Sequence, residues 1–117
     1  MTSSMADRAM PRVVDVGDLQ AMADSGFPGC CVYVVREQRG KWAKVGTSAA
    51  PLARITSLQS GNPRRLRLSL VVATGSKRRA LEIESMAKAE LPGVHDRGDW
   101  FTDGDELERW LRGVARD

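Results

Sequence analysis

Between positions 66 and 73, Leu66, Leu68, Leu70 and Val72 alternate with Arg67, Ser69, Val71 and Ala73. A period of two over eight residues predicts a β-strand with one apolar face, and such a face has to be covered. Partner strands and packed helices are therefore required, which makes the rest of the chain a search for both. Cys30 to Arg36 is rich in Val and Tyr, as a buried strand would be, and Lys41 to Gly46 reads as a second short strand after Gly40. The two runs predict a β-hairpin. With the turn centred between Gln38 and Arg39, Tyr33 faces Lys44 and both side chains share one face of the sheet.

Helices account for most of the remainder. Asp15 to Ser25 predicts a short helix carrying Leu19 and Met22, ended by Gly26 and Pro28. Pro51 opens a second helix with Leu52, Ile55 and Leu58 at near-helical spacing, and Gly61 with Asn62-Pro63 stops it. A third runs from about Ser76 to Leu91, broken by Pro92-Gly93. The last has Asp103 as its cap, Glu106 completing a capping box, and a stripe of Leu107, Trp110, Leu111 and Val114. The element order α-β-β-α-β-α-α describes a small α+β domain. A chain of 117 residues with 42% hydrophobic content suits one such domain. Residues 1–29 read as a lead-in with a short helix and 30–117 as the functional domain.

The net charge of +3 hides a sharp division. From Val34 to Arg79 there are eleven basic residues and a single acid, Glu37, so this block carries +10 and the rest of the chain −7. A block this basic points to a polyanionic partner, since each Lys or Arg set against a phosphate releases counterions. Arg64, Arg65, Arg67, Lys77, Arg78 and Arg79 are the candidate phosphate-backbone contacts. No apolar run approaches the roughly 20 residues of a membrane span, and no apolar segment follows a basic start as in a secretory signal. The expected compartment is the cytoplasm.

Other chemistries find no residues to carry them. Adjacent Cys30 and Cys31 with a lone His95 cannot supply the spaced ligand pairs of a structural zinc site. Walker-type and dinucleotide-binding glycine loops, nucleophile elbows and internal repeats are missing from the sequence. Three constellations remain. Tyr33 and Lys44 form either a cross-strand contact or a proton-transfer pair. Arg54, the only charge from Pro51 to Gln59, is either a solvated side chain or a phosphate clamp. Lys77, Arg78 and Arg79 oppose the helix dipole unless an anion docks there. One turn later, Glu82 and Glu84 either pair with Arg78, Arg79 and Lys88 or offer a carboxylate to Mg²⁺.

Taken in order, Cys31-Val32-Tyr33, Lys44-Val45-Gly46, Arg54, Leu58-Gln59-Ser60-Gly61-Asn62-Pro63, Glu82 and Gly98-Asp99-Trp100-Phe101 resemble the GIY-YIG nuclease superfamily. The likeness is to its phage and bacterial branch, whose second motif is Lys-Ile-Gly-like. The resemblance implies a three-stranded antiparallel sheet flanked by helices, and metal-dependent endonuclease activity on nucleic acid, DNA foremost, with Mg²⁺ or Mn²⁺. It implies catalytic roles for Tyr33, Lys44, Arg54 and Glu82. The metal falls to Glu82, with Glu84 as fallback, and Gly46, Gly61, Asn62 and Trp100 are motif positions. Lys44 stands where better-known members have tyrosine, which leaves the general base between Tyr33 and Lys44. Met86 stands where many relatives have a histidine, which opens the alternative of a nucleic-acid-binding module with weakened catalysis. A third reading, a protein-interaction domain, would use the acidic last helix and Trp110. The sequence contains no zinc-finger or helix-turn-helix pattern, so target choice is expected to be loose or supplied by a protein partner.

Overall fold

The computed structural model describes residues 11–19 and 29–116. Six strands and three α-helices follow one another as β1 (Arg12–Val14), β2 (Cys31–Glu37), β3 (Ala43–Ser48), α1 (Pro51–Ser60), β4 (Leu66–Ala73), α2 (Lys77–Glu90), β5 (His95–Arg97), β6 (Trp100–Phe101) and α3 (Gly104–Arg116). They form one antiparallel sheet in the order β1-β4-β2-β3-β6-β5. The α+β class holds, but the expected three-stranded sheet is in fact six-stranded. The three expected strands are its centre, and short strands of two or three residues extend it on both sides. Segments so short carry no periodicity. Of the predicted first helix, a 3-10 turn at Val16–Asp18 is present, and its remainder lies outside the described residues.

The sheet separates two cores. On one face Cys31, Tyr33, Val35, Val71 and Ala73 pack under Leu52, Ile55 and Leu58 of α1. On the other, Val32, Val34, Val45, Leu70 and Val72 meet Ala80, Ile83 and Ala87 of α2 and Leu107 and Leu111 of α3. The single apolar face expected of β4 is corrected by a bulge. Val34 pairs with Leu70 and Val35 with Leu68, so Ser69 is an extra residue in β4. Leu66 and Leu68 consequently turn to the α1 face while Leu70 and Val72 stay beneath α2 and α3.

Hairpin register is also corrected. Tyr33 faces Gly46, and Lys44 faces Val35. Gly40, at φ 108°, occupies the turn, so the loop is centred one residue later than expected. The displacement is even, so Tyr33 and Lys44 keep the same face and become diagonal neighbours.

Helix ends follow their sequence signals. Ser76 Oγ accepts from the Arg79 amide at 3.2 Å, and Asp103 Oδ1 accepts from the amides of Asp105 and Glu106 at 3.0 and 3.2 Å. The α1–β4 loop is fixed by Gln59, whose Oε1 accepts from the Leu66 amide (2.7 Å) and whose Nε2 donates to the Arg64 carbonyl (2.9 Å). Asn62 Oδ1 accepts from the Arg64 amide. The Leu-Gln-Ser-Gly-Asn-Pro stretch thus serves to aim β4. No helix among the described residues is long and apolar enough to cross a membrane.

Candidate active site

Tyr33 sits mid-sheet and is 2% exposed. Its ring lies across Gly46 of the neighbouring strand, where an added Cβ would stand 2.4 Å from both Cζ and the hydroxyl oxygen. Only glycine lets the ring lie down over β3. Arg54 projects from the first turns of α1 while Leu52 and Ile55 on either side face the core. Burial pushes the Tyr33 phenol up, and the Arg54 guanidinium beside its hydroxyl offsets part of that push. A shielded phenol next to an exposed guanidinium results.

The edge of β3 supplies the second half. Strand β6 begins opposite Lys44, where Trp100 is its partner. Asp99, just before β6, accepts the Val45 amide through its carbonyl at 2.9 Å. Its carboxylate accepts from Lys44 Nζ at 3.3 Å through Oδ2 and from Lys88 Nζ at 2.7 Å through Oδ1. Lys44 stands on the α1 side of the sheet and Lys88 belongs to α2 on the other. Asp99 joins them past the short end of β6. Burial works against the Asp99 charge, but the hydrogen bonds from Lys88 and Lys44 outweigh it and hold the carboxyl below its ordinary value.

Glu84 completes the group. Its side chain is 14% exposed and lies 3.8 Å from Lys88 Nζ. Burial pushes its carboxyl up. Lys88 opposes that, and the adjacent Asp99 adds to it. Glu84 is therefore a carboxylate whose charge Lys88 only partly offsets.

Of the four residues assigned catalysis from sequence, the structure brings together Tyr33, Lys44 and Arg54, with Glu84 rather than Glu82. Residues two apart on a helix differ by about 200° in direction. Glu82 accordingly points outward, 47% exposed, to Arg78 at 3.6 Å and Arg79 at 4.0 Å. It lines an open groove of about 690 Å³ with Lys77, Leu81, Ser85 and Met86. Met86, four residues on from Glu82, shares that outer face, so its identity has no bearing on the cluster. Lys88 and Asp99 were missed as site residues. Asp99 stood inside a motif noted only as a whole, and Lys88 was weighed only as a partner for glutamate, although its spacing of four from Glu84 puts both on one face.

The basic block splits in space. Exposed Arg64 and Arg65 lie at the hairpin end of the sheet, where with Glu37 and Arg39 they line a cleft of about 150 Å³, and Arg67 pairs with Arg36 in β2 nearby. Lys77, Arg78 and Arg79 begin α2 at the opposite end, roughly 25 Å away along β4. Gly61 ends α1, Asn62 holds the loop after it, and Trp100 stacks edge-on to Trp42 beneath Lys44.

Among the described residues no group of three or more His, Cys, Asp or Glu is placed to hold a metal. Buried Cys31, its thiol pushed up to about 12 chiefly by burial, is packing rather than chemistry. Compared with family models, with curated proteins and with solved structures, the chain matches none.

Proposed function

We propose that this chain is a metal-dependent endonuclease that hydrolyses phosphodiester bonds in nucleic acid, DNA foremost. The observation that carries the reading is the meeting of Tyr33, Arg54, Lys44 and the largely buried Glu84 around the free edge of β3. Arg54 presents a planar fork to two phosphate oxygens. Lys44, donating to Asp99, serves as a fixed cation for a third oxygen. That leaves the Tyr33 hydroxyl, protonated at neutral pH, to hold and orient the attacking water. The exposed arginines and lysines at both ends of the sheet would track the backbone to either side.

Glu84 would hold the one Mg²⁺ or Mn²⁺, with Asp99, both of whose oxygens accept from lysines, beside it. One carboxylate is enough where substrate oxygens and retained waters complete the shell. When bound, the ion would stabilise negative charge on the leaving oxygen.

The test is nicking of supercoiled plasmid in Mg²⁺ or Mn²⁺ against EDTA. Arg54→Ala and Glu84→Gln should each lower the rate by roughly 100-fold or more, as loss of a group acting on the transition state does. Equal rates in wild type and both variants would sink the assignment. A second reading, binding without cleavage, draws on Asp99 being engaged by two lysines, which leaves one carboxylate for metal. Its outcome is metal-independent binding that weakens steeply with salt and yields no nicks. Target choice would then rest with a protein partner in either case.

A further inference from the structure

Two tryptophans lie against the proposed site without serving either core. Trp42 directly precedes β3, two residues before Lys44, and is 40% exposed. It meets Trp100 edge to face, with ring centroids 6.5 Å apart and planes at 71°. Lys44 Nζ lies over the Trp100 ring at 5.8 Å, so the aromatic pair and the site cation form one continuous surface. Large exposed aromatics are costly to leave in water, and here the cover is incomplete because β6 is only two residues long. Exposed Arg39 and Lys41 sit in the hairpin loop next to it.

We infer that Trp42 is a stacking platform for an unpaired nucleobase of the strand whose phosphate Lys44 and Arg54 hold. This rests on the nuclease reading and specifies its substrate: nucleic acid with single-stranded or unpaired character at the cut. A flat aromatic beside cations is the combination that binds single strands, because every base offers a π-face while its phosphate seeks a cation. Paired bases inside a duplex have no free face to offer a ring on this surface. Trp42 therefore adds to binding of open structure and contributes little to duplex.

Anisotropy of a fluorescein-labelled 12-nucleotide oligothymidylate and of a 12-base-pair duplex, both in EDTA, separates the possibilities. Trp42→Ala should weaken the single strand about fivefold or more and the duplex less than about twofold, while Trp42→Phe keeps most of the difference. The duplex serves as the control for intact folding. In a Trp110→Phe background, the oligothymidylate should quench indole emission, and Trp42→Ala should remove most of that quenching. Equal losses for both probes, no loss for either, or no binding of either probe would overturn the proposal. Plasmid nicking is scored separately. Discrimination without nicking leaves the platform and removes the nuclease, whereas nicking without discrimination between the two probes does the reverse.

Discussion

Two ionic clusters flank the sheet, and they are built from similar parts to different ends. At the hairpin end, Arg36 is 12% exposed and donates to Asp105 at 2.7 Å and Glu108 at 3.3 Å. The bulged Ser69 donates to the same Glu108 at 2.6 Å. Gly104 opens α3 directly above, where a Cβ would lie 2.7 Å from Arg36 Nε. That cluster is closed except for Arg36 Nε, which is buried without a hydrogen-bond partner among the described residues, and it pins α3 to the sheet. Around Asp99 the arrangement is different: Arg54 is exposed beside a buried phenol, and among the described residues Glu84 has no closer cation than Lys88 at 3.8 Å. Groups held in place yet left with bonding capacity are what a binding site needs, whereas groups that spend that capacity on one another hold a fold together.

The largest expected effect breaks the closed cluster. Arg36→Met leaves Glu108, 13% exposed, without its cation, and removing one partner of a buried pair costs about 3 kcal/mol. Urea denaturation should show that loss, while nicking per folded molecule stays within about twofold. A large loss of activity at full stability would mean the two clusters do not differ in kind.

Next comes the glycine under Tyr33. Gly46→Ala places a methyl where the Tyr33 ring lies, so the ring must move or β2 and β3 must separate. Overpacking of this sort costs about 1–3 kcal/mol. Nicking should fall with it, because the hydroxyl leaves Arg54, and it should fall about as far as in Tyr33→Phe. Stability lost with activity retained would remove Tyr33 from the mechanism.

Much of this was legible in the sequence, and the gaps have physical causes. β4 was recognised by its alternation, yet alternation alone does not reveal a bulge, so the face of Leu66 and Leu68 was misread. The hairpin was found, and its register missed, because one glycine at positive φ moves a turn centre without altering composition. Tyr33 and Lys44 stand out in the sequence through the expected hairpin pairing, and Arg54 as the lone charge of its helix. Glu84 ranked second because sequence order does not show which way a helix faces, a choice made by Ala80, Ile83 and Ala87 entering the core. Asp99 acts across the sheet, and no local pattern announces a contact to Lys44 fifty-five residues away.

A smaller effect probes charge coupling. Glu84 must be ionised to attract a cation, and its carboxyl is raised above the ordinary 4.5. As pH falls it takes a proton early, so the acid limb of cleavage should lie above pH 4.5. Asp99→Asn removes a neighbouring negative charge and frees Lys88 to act on Glu84, and the limb should move to lower pH. Stability runs the other way. The Asp99 carboxyl, lowered from 3.8, contributes stability that is present above that pH and lost as pH falls through the folded value. The Asn variant should lack this acid-induced loss. A limb unchanged by Asp99→Asn would detach Glu84 from the cluster.

The smallest effect is the most discriminating, because it separates two glutamates one residue apart from a common neighbour. Glu82→Gln removes a carboxylate that is 47% exposed and, among the described residues, pairs only with solvent-facing Arg78 and Arg79. Exposed pairs at helical spacing contribute about 0.3–0.5 kcal/mol, so melting should barely change. Nicking should stay within about twofold of wild type, against the loss expected for Glu84→Gln. A rate collapse in Glu82→Gln with Glu84→Gln active would require α2 to rotate by about half a turn on binding substrate. Ala80, Ile83 and Ala87, each fully buried against the sheet, would have to leave the core for that to happen. The same packing that holds the helix in place therefore turns Glu84, and not Glu82, toward Lys88 and Asp99.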